Sequence, residues 1–317
     1  MVVTSPLSGS TNIRLIRSYP AQELIARWQK NFNFDITPEL HGHPAIELYE
    51  CLDTGLYFFT PWDTAGSEAL YQELQKLDFY YMEEKWEYDQ ALQLLQPLSP
   101  EHKVLEVGCG RGYFVKKLKK LGIEITGLEL NQLAVNYAQA QSLSVHRESL
   151  ENWAQKYPGQ YTAVCSFQVL EHIAQPKQFI QHCLDCLAPN GQLILAVPNA
   201  KSFTQSLEYD LLDMPPHHMA RWHSQVFQKL ENYFPMRLAG VFYEPLASYH
   251  VDWYVGLQLS RRWQLPNPHR SFGHRFIYKM AKPIYKKLPQ VYKFTLNHMG
   301  FRKYIRGHTL LGCFRKR

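Results

Sequence analysis

Short apolar runs alternate with amphipathic stretches through the middle of the chain. Residues 103–107, 124–130, 144–146, 161–167, 192–197, 237–243 and 309–314 each read as a strand. Between them, residues 113–121, 131–141 and 225–233 carry helical patterns, and Asn131 is a good N-cap for the second. Strand and helix in alternation predict a doubly wound, mostly parallel α/β sheet. The long gap before the last strand, residues 245–307, reads as an insertion. Ahead of the sheet, residues 1 to about 20 are rich in Ser, Thr and Pro and are expected to be loosely ordered at the start. Residues 21–32, 67–75 and 80–95 read as helices, and two apolar runs at 46–49 and 55–59 as a β-hairpin. The expected division is a small α+β module over 1–78 and a sheet domain over 79–317.

The first sheet strand runs into Gly108-Cys109-Gly110-Arg111-Gly112, and a helix follows at once. Glycines there permit a sharp turn with positive φ and leave no Cβ to bar a ligand from the backbone. The amide N–H groups at the helix start then face that ligand. Glu106 lies two residues before the turn, inside the apolar run, where a carboxylate is costly to bury without a partner. Glu129 closes the second strand about twenty residues beyond the glycines, at the spacing from which an acid hydrogen-bonds a ribose diol. An aromatic stands where the dinucleotide fingerprint ends in glycine or alanine, so the turn reads as a mononucleoside site. Leu130, then Ser149 and Leu150, then Phe167 and Gln168 follow the carboxyl ends of the second, third and fourth strands, where open α/β sheets bind ligands.

Four segments together carry a resemblance. They are Val-Leu-Glu-Val-Gly-Cys-Gly-Arg-Gly, Gly-Leu-Glu-Leu-Asn, Phe-Gln-Val-Leu-Glu-His-Ile, and Leu-Ala-Pro-Asn-Gly-Gln-Leu-Ile-Leu-Ala-Val-Pro-Asn. In this order and spacing the chain resembles the class I S-adenosylmethionine-dependent methyltransferases over roughly residues 80–244. The subgroup it looks most like holds quinone-type O-methyltransferases and enzymes of glycan and natural-product gene clusters. The resemblance implies a Rossmann-like seven-stranded sheet whose last strand inserts antiparallel between the fifth and sixth. It implies S-adenosyl-L-methionine as cofactor. Gly108, Cys109, Gly110 and Gly112 would admit the methionine portion and adenosine, and Glu106 would hold the ammonium. Glu129 with Leu130 would serve the ribose, Ser149 and Leu150 the adenine, and Phe167 and Gln168 the sulfonium region. In relatives the helix before the first strand covers the cofactor, a role open here to Tyr80, Tyr81 and Trp86.

Methyl transfer from a sulfonium is an in-line displacement with a neutral leaving group. The protein has to align the reactants and, for a hydroxyl acceptor, remove a proton. Histidine suits that task near neutrality. His217 and His218, in Met-Pro-Pro-His-His-Met-Ala-Arg-Trp, lie in a loop after the fifth strand that is expected to close over the acceptor, and relatives share a similar loop. His172, after the fourth strand, is the other candidate, with a structural role as its competing reading. Some quinone O-methyltransferase relatives place a metal near the matching Glu-His. Gln168 stands where a further carboxylate would help, so no metal is expected there. The hairpin resembles a zinc-binding knob of some relatives, but only Cys51 remains of its cysteines, with His41 and His43 nearby. Four ligands are needed, so a metal-free hairpin is expected.

Net charge is +6, but residues 261–317 hold fifteen Lys and Arg and no acid, against nineteen basic and twenty-eight acidic residues elsewhere. That basic segment, with aromatics interleaved over 275–294, is open to three readings. They are contact with an anionic membrane surface, binding of nucleic acid, and a positive wall for an acidic acceptor. No nucleic-acid module signature is visible, and Pro283 and Pro289 interrupt a membrane-surface helix. The six cysteines are scattered, and Cys183 and Cys186 fall inside an amphipathic helix, which reads as core packing in a reduced, cytoplasmic protein. No apolar run is long enough to span a membrane, and no secretory signal is read at the N-terminus. The expected function is methyl transfer to oxygen of a small or lipid-linked acceptor. The alternatives are an RNA methyltransferase guided by the basic segment and an inactive cofactor-binding partner protein.

Overall fold

The computed structural model describes residues 2–77, 80–207, 209–262, 290–291, 293–297 and 300–317. Its first element corrects an expectation. The N-terminal stretch forms β1 (Ile13–Pro20), paired antiparallel with β2 (Ala45–Cys51), and Leu7 ahead of it is fully buried. β1 is the edge strand of its sheet and most of its side chains are exposed. Backbone hydrogen bonds hold it, so it leaves no alternating apolar pattern to read. Helix α1 (Ala21–Phe32) buries Leu24 and Trp28, and β2 pairs with β3 (Tyr57–Thr60) as the expected hairpin. The Ser67 hydroxyl caps α2 (Glu68–Leu74) by accepting from the Leu70 N–H. The helix expected over 80–95 begins only at Trp86, as α3 (Trp86–Leu94); Tyr80 and Tyr81 precede it and pack elsewhere.

The central sheet is built from β4 (Lys103–Val107), α4 (Tyr113–Lys120), β5 (Glu124–Leu128), α5 (Gln132–Ala140), β6 (Val145–His146), α6 (Leu150–Lys156), β7 (Tyr161–Phe167), α7 (Pro176–Cys186) and β8 (Leu187–Pro198). After a loop containing β9 (Ala220–Arg221) come α8 (Ser224–Lys229), β10 (Met236–Pro245), α9 (Val251–Arg262) and β11 (Arg306–Lys316). Strand order is β10-β11-β8-β7-β4-β5-β6. The pairs from β8 to β6 are parallel, and β11 lies antiparallel to β8. This is the doubly wound, Rossmann-like seven-stranded sheet expected, with its last strand between the fifth and sixth. Strand order reverses between β4 and β7, and ligands of such sheets bind beyond the strand ends at that point.

β9 was not expected. It adds two residues to the N-terminal sheet, whose order is β1-β2-β3-β9, with Tyr57 opposite Arg221 and Phe58 opposite Ala220. Phe59 N–H donates to Met219 O at 2.9 Å. Met214, just upstream, joins the buried cluster of Leu24, Trp28, Ile46, Phe59 and Leu70. The loop carrying His217 and His218 is therefore held by the N-terminal module. The central core gathers Val104, Phe114, Phe167, Ile194 and Leu311.

The chain divides into two compact units. One comprises residues 1–199, 208–242 and 309–317, and contains both sheets' packed cores; the other comprises 200–207 and 243–308. The second unit has its own small core of Phe203, Leu246, Val251, Val255 and Leu296. The basic stretch 275–294 lies almost wholly outside the described residues. The six cysteines are free and buried, Cys183 and Cys186 on the inner face of α7. Among the described residues no helix is long and apolar enough to cross a membrane.

Candidate active site

The turn after β4 takes the form its glycines allow. Gly108 and Gly110 have φ of +72° and +52°, a region that side-chain-bearing residues rarely adopt. A Cβ on Gly108 would lie 2.3 Å from Val169 Cγ2, and one on Gly110 would lie 2.7 Å from the Tyr81 ring. The N–H groups of Gly108 and Cys109 donate to Leu128 O, which ties the turn to the end of β5. Tyr81 thus covers the turn, and the Arg111 guanidinium sits 5.1 Å from the Tyr81 ring centre and 5.1 Å from that of Tyr137.

Two carboxylates flank this turn. Glu106 is 1% exposed, and its Oε2 has no hydrogen-bond partner. Burial, seconded by the nearby Glu129 charge and opposed by Lys85, pushes its carboxyl up to about 8. Glu129 Oε2 accepts from Gly110 N–H at 2.8 Å, and its Oε1 accepts from Leu130 and Asn131 N–H, each at 2.8 Å. The fold therefore anchors the Glu129 carboxylate to the glycine turn itself. An orphaned buried oxygen on one side, an anchored carboxylate on the other and bare backbone between them fit an adenosyl ligand bearing a cationic group.

The Glu106 shift has a consequence for stability. Between pH 4.5 and about 8 the folded chain keeps a proton on Glu106 that the unfolded chain has lost. Unfolding free energy therefore falls as pH rises through that window, by at most about 1.4 kcal/mol per pH unit. Glu106→Gln is expected to flatten this fall. Urea unfolding of both proteins at pH 5 and pH 8 measures it, and equal slopes would remove Glu106 as the source.

The remaining expected cofactor residues fall into two groups. Gln168 stays at the rim with φ of +58°, its Nε2 donating to Glu87 Oε1 at 3.2 Å. Ser149 caps α6, its hydroxyl accepting from Asn152 N–H at 3.2 Å, and Leu150 is buried beside it. Leu130 is exposed. The Phe167 side chain corrects its expected place: it turns into the core, edge-on to Phe114 and Tyr88 at 5.0 and 5.3 Å between ring centres. Three aromatic rings shield more apolar area together there than one ring would at the rim.

The three candidate histidines form one cluster. Ring centres of His172, His217 and His218 lie 4.4 to 4.7 Å apart. His172 Nδ1 donates to His217 O at 2.7 Å, and His217 Nδ1 to Leu212 O at 2.8 Å. His218 Nδ1 lies 3.0 Å from Asp213 Oδ1, and Arg221 Nε holds Asp213 Oδ2 at 2.9 Å. Oxygen acceptors at the Nδ1 atoms of His217 and His218 leave Nε2 as the basic nitrogen of those two rings, whereas the His172 ring faces a second acceptor, the Gln168 carbonyl. Met219 N–H donates to Glu171 O at 2.7 Å, fastening the loop beside His172. Burial pushes His172 down to about 4 and His217 well below the usual imidazole range, the latter helped by its two histidine neighbours. Burial also drives the Glu171 carboxyl well above the usual carboxylate range, and its Oε2 has no hydrogen-bond partner.

Tyr80 and Tyr81 join the two regions. The Tyr80 hydroxyl is 3.4 Å from His217 Nε2, while the next side chain, Tyr81, lies on Gly110. Asp213 and Arg221 were not singled out from the sequence. Asp213, five positions before His218, was visible as an acid in the same loop. Arg221 carried no signal, since only the turn of the loop brings it back to Asp213. Among the described residues, one group of three metal-capable side chains is close enough to share an ion: His172, His217 and His218, with ligand atoms within 4.8 Å of one another. His43, by contrast, pairs with the Asp63 carboxylate.

Residues 79–242 match a family model described as a methyltransferase domain. Ubiquinone biosynthesis O-methyltransferase of Dechloromonas aromatica (strain RCB) is 29% identical over 167 residues, covering 46% of this chain and 70% of that protein. The same-named proteins of Proteus mirabilis (strain HI4320) and Yersinia pestis (strain Pestoides F) are 30% and 31% identical. Their alignments cover 31% and 37% of this chain, and 42% and 52% of those proteins. The chain thus spans between about two fifths and seven tenths of the length of these relatives. Among solved structures, a SAM-dependent methyltransferase from Archaeoglobus fulgidus aligns with a TM-score of 0.47 at 16% identity, over 79% of this chain and 95% of that one. At that score the likeness adds nothing to the strand order above.

Proposed function

The chain belongs to the methyltransferase-domain family, as a class I S-adenosylmethionine-dependent methyltransferase, and on that premise we propose that it methylates a hydroxyl oxygen of a small or lipid-linked acceptor held against the histidine cluster. The observation that carries this reading is the shared wall of Tyr80 and Tyr81. Tyr81 lies on Gly110 of the glycine turn while the neighbouring Tyr80 reaches His217, which supports a nucleoside-type cradle beside a cluster of imidazoles. The relatives named as ubiquinone biosynthesis O-methyltransferases support oxygen as the accepting atom.

S-adenosylmethionine supplies, when bound, a methyl group already activated on a sulfonium, so the carbon–sulfur bond breaks with a neutral leaving group as the carbon–oxygen bond forms. The residues do the rest. Gly108, Cys109, Gly110 and Gly112 give close access to backbone. Glu106 offers its orphaned oxygen to the ammonium group. Glu129 offers its remaining acceptor positions to the ribose hydroxyls while holding Gly110. Ser149 and Leu150 border the base. His218 takes the acceptor proton on Nε2, and Asp213 fixes its tautomer and steadies the charge it gains. His172 and His217 complete the imidazole wall. Calorimetric titration with S-adenosylhomocysteine tests the cradle. Mass-spectrometric screening of phenolic and quinol-type acceptors for a gained methyl group tests the reaction. Binding without any methylated product would leave the reading without its reaction.

A further inference from the structure

The second unit concentrates positive charge and turns apolar side chains outward. Residues 243–308 hold twelve Lys and Arg against two acids, and both acids are engaged: Glu244 is buried, and Asp252 pairs with Lys293 at 2.7 Å. Among the described residues both exposed phenylalanines, Phe294 and Phe301, lie here, and Val291, Tyr249 and Tyr304 are exposed as well. Singly exposed apolar residues need no explanation, but these come in pairs at fixed spacing. Val291 and Phe294 are helical and three apart, so they share a helix face, and the Thr295 hydroxyl donates to Val291 O at 2.9 Å. Phe301 and Tyr304 open and close one 3-10 turn, where positions three apart eclipse. The inner sides of both segments are already occupied. Leu296 is buried with Leu246, Val251 and Val255. The Leu246 N–H donates to Arg302 O and Ile305 O, and Arg302 Nη1 donates to Leu246 O at 3.4 Å. Segments fastened to a core therefore present the outward rings, at 45% exposure for Phe301 and 75% for Tyr304.

Cations sit among these rings. Lys303 Nζ lies 5.0 Å from the Tyr304 ring centre, and the Arg306 guanidinium 4.4 Å from that of Tyr243. We propose that Val291, Phe294, Phe301 and Tyr304, with Lys303 and Arg306, form a surface that seats the chain on an anionic lipid bilayer. Phenylalanine and valine gain by entering the boundary of the acyl chains, as the apolar side of an interfacial segment does. Tyrosine is favoured at headgroup level, with its ring among the chains and its hydroxyl wet. Lys and Arg extend from their apolar stems to the lipid phosphates. Base stacking would use the aromatic rings but would gain nothing from Val291, so the set suits lipid better than nucleic acid. The surface does not need the proline-interrupted stretch before residue 290. Its binding claim stands by itself; its consequence, an acceptor drawn from the bilayer, rests on the methyl-transfer reading.

The full chain is floated with vesicles of phosphatidylcholine alone and with vesicles that also contain phosphatidylglycerol, at low and at high salt. Affinity for the anionic vesicles is expected to exceed that for the neutral ones about 30-fold or more, the effect of two cations at the surface, and to fall with salt. Phe301→Ser combined with Tyr304→Ser should weaken binding about 10- to 100-fold at either salt concentration, through lost apolar burial. Lys303→Glu should weaken binding to the anionic vesicles about 30-fold, a change of two charges, and leave the neutral ones unaffected. All three positions are exposed, and an unchanged circular dichroism spectrum shows that the variants fold. Absence of flotation, equal flotation with both vesicle types, or a double variant that floats like wild type overturns the surface. So does transfer of the chain from anionic vesicles to a single-stranded RNA oligonucleotide at equal phosphate concentration, which would make nucleic acid the partner. Methyl transfer is read separately. An active chain that does not float loses the surface and keeps its reaction, whereas a floating chain without methylated product keeps the surface and loses the reaction.

Discussion

Turnover falls about 100- to 10,000-fold when His218 is replaced by alanine, while affinity for S-adenosylhomocysteine stays unchanged. The size of the loss follows from what His218 alone possesses. Its Nδ1 faces a carboxylate, Asp213, which Arg221 holds in place. That carboxylate stabilises the imidazolium formed when the ring takes a proton. His172 and His217 lean on carbonyl oxygens instead, and burial pushes both away from the protonated form. Their alanine variants should lose less when the ring acts only through its basicity. Asp213→Asn keeps a side-chain oxygen and removes the charge, so an intermediate loss is expected. Single-turnover methyl transfer, measured with cofactor saturating, reports the step directly. Full turnover in His218→Ala would end its assignment as the base.

The second large effect is on cofactor affinity. Glu129→Ala should weaken S-adenosylhomocysteine binding about 100- to 10,000-fold, as expected when two hydrogen bonds to a charged acceptor are lost at about 1.5–3 kcal/mol each. Two causes act together. The ribose loses its carboxylate, and the N–H groups of Gly110, Leu130 and Asn131 lose the acceptor that now shapes the turn. Glu129→Gln separates them: one amide oxygen can still accept from the backbone, but the charge is gone. Calorimetry on the three proteins reads both steps, and an alanine variant that binds as tightly as wild type would remove Glu129 from the site.

Where the chain's local pattern and its tertiary environment agree, the sequence was readable. β4 and β7 fall on their apolar runs, and Asn131 caps α5 as its side chain suggests. The glycine turn was readable for a related reason, since its backbone conformation excludes most other residues. Elements held by distant partners were not. β1 and β9 exist because a neighbouring strand offers backbone groups, and neither needs apolar alternation. Tyr80 and Tyr81 look helical in isolation but are drawn off by His217 and Gly110, more than 25 positions away in each case. The pairing of His172 with His217 spans 45 positions. Local periodicity carries no record of such a meeting, so His172 remained open between a structural and a chemical role.

The two-residue strand β9 has a consequence for how this chain could be recombined. Its natural seam is not at residue 78, where the composition changes, because the hairpin on one side of that seam braces the histidine loop on the other. A hybrid that kept the sheet and exchanged the first 78 residues for those of a cousin would inherit its donor cradle intact. Its acceptor preference, however, would come from the grafted piece, so specificity in such hybrids should travel with the hairpin.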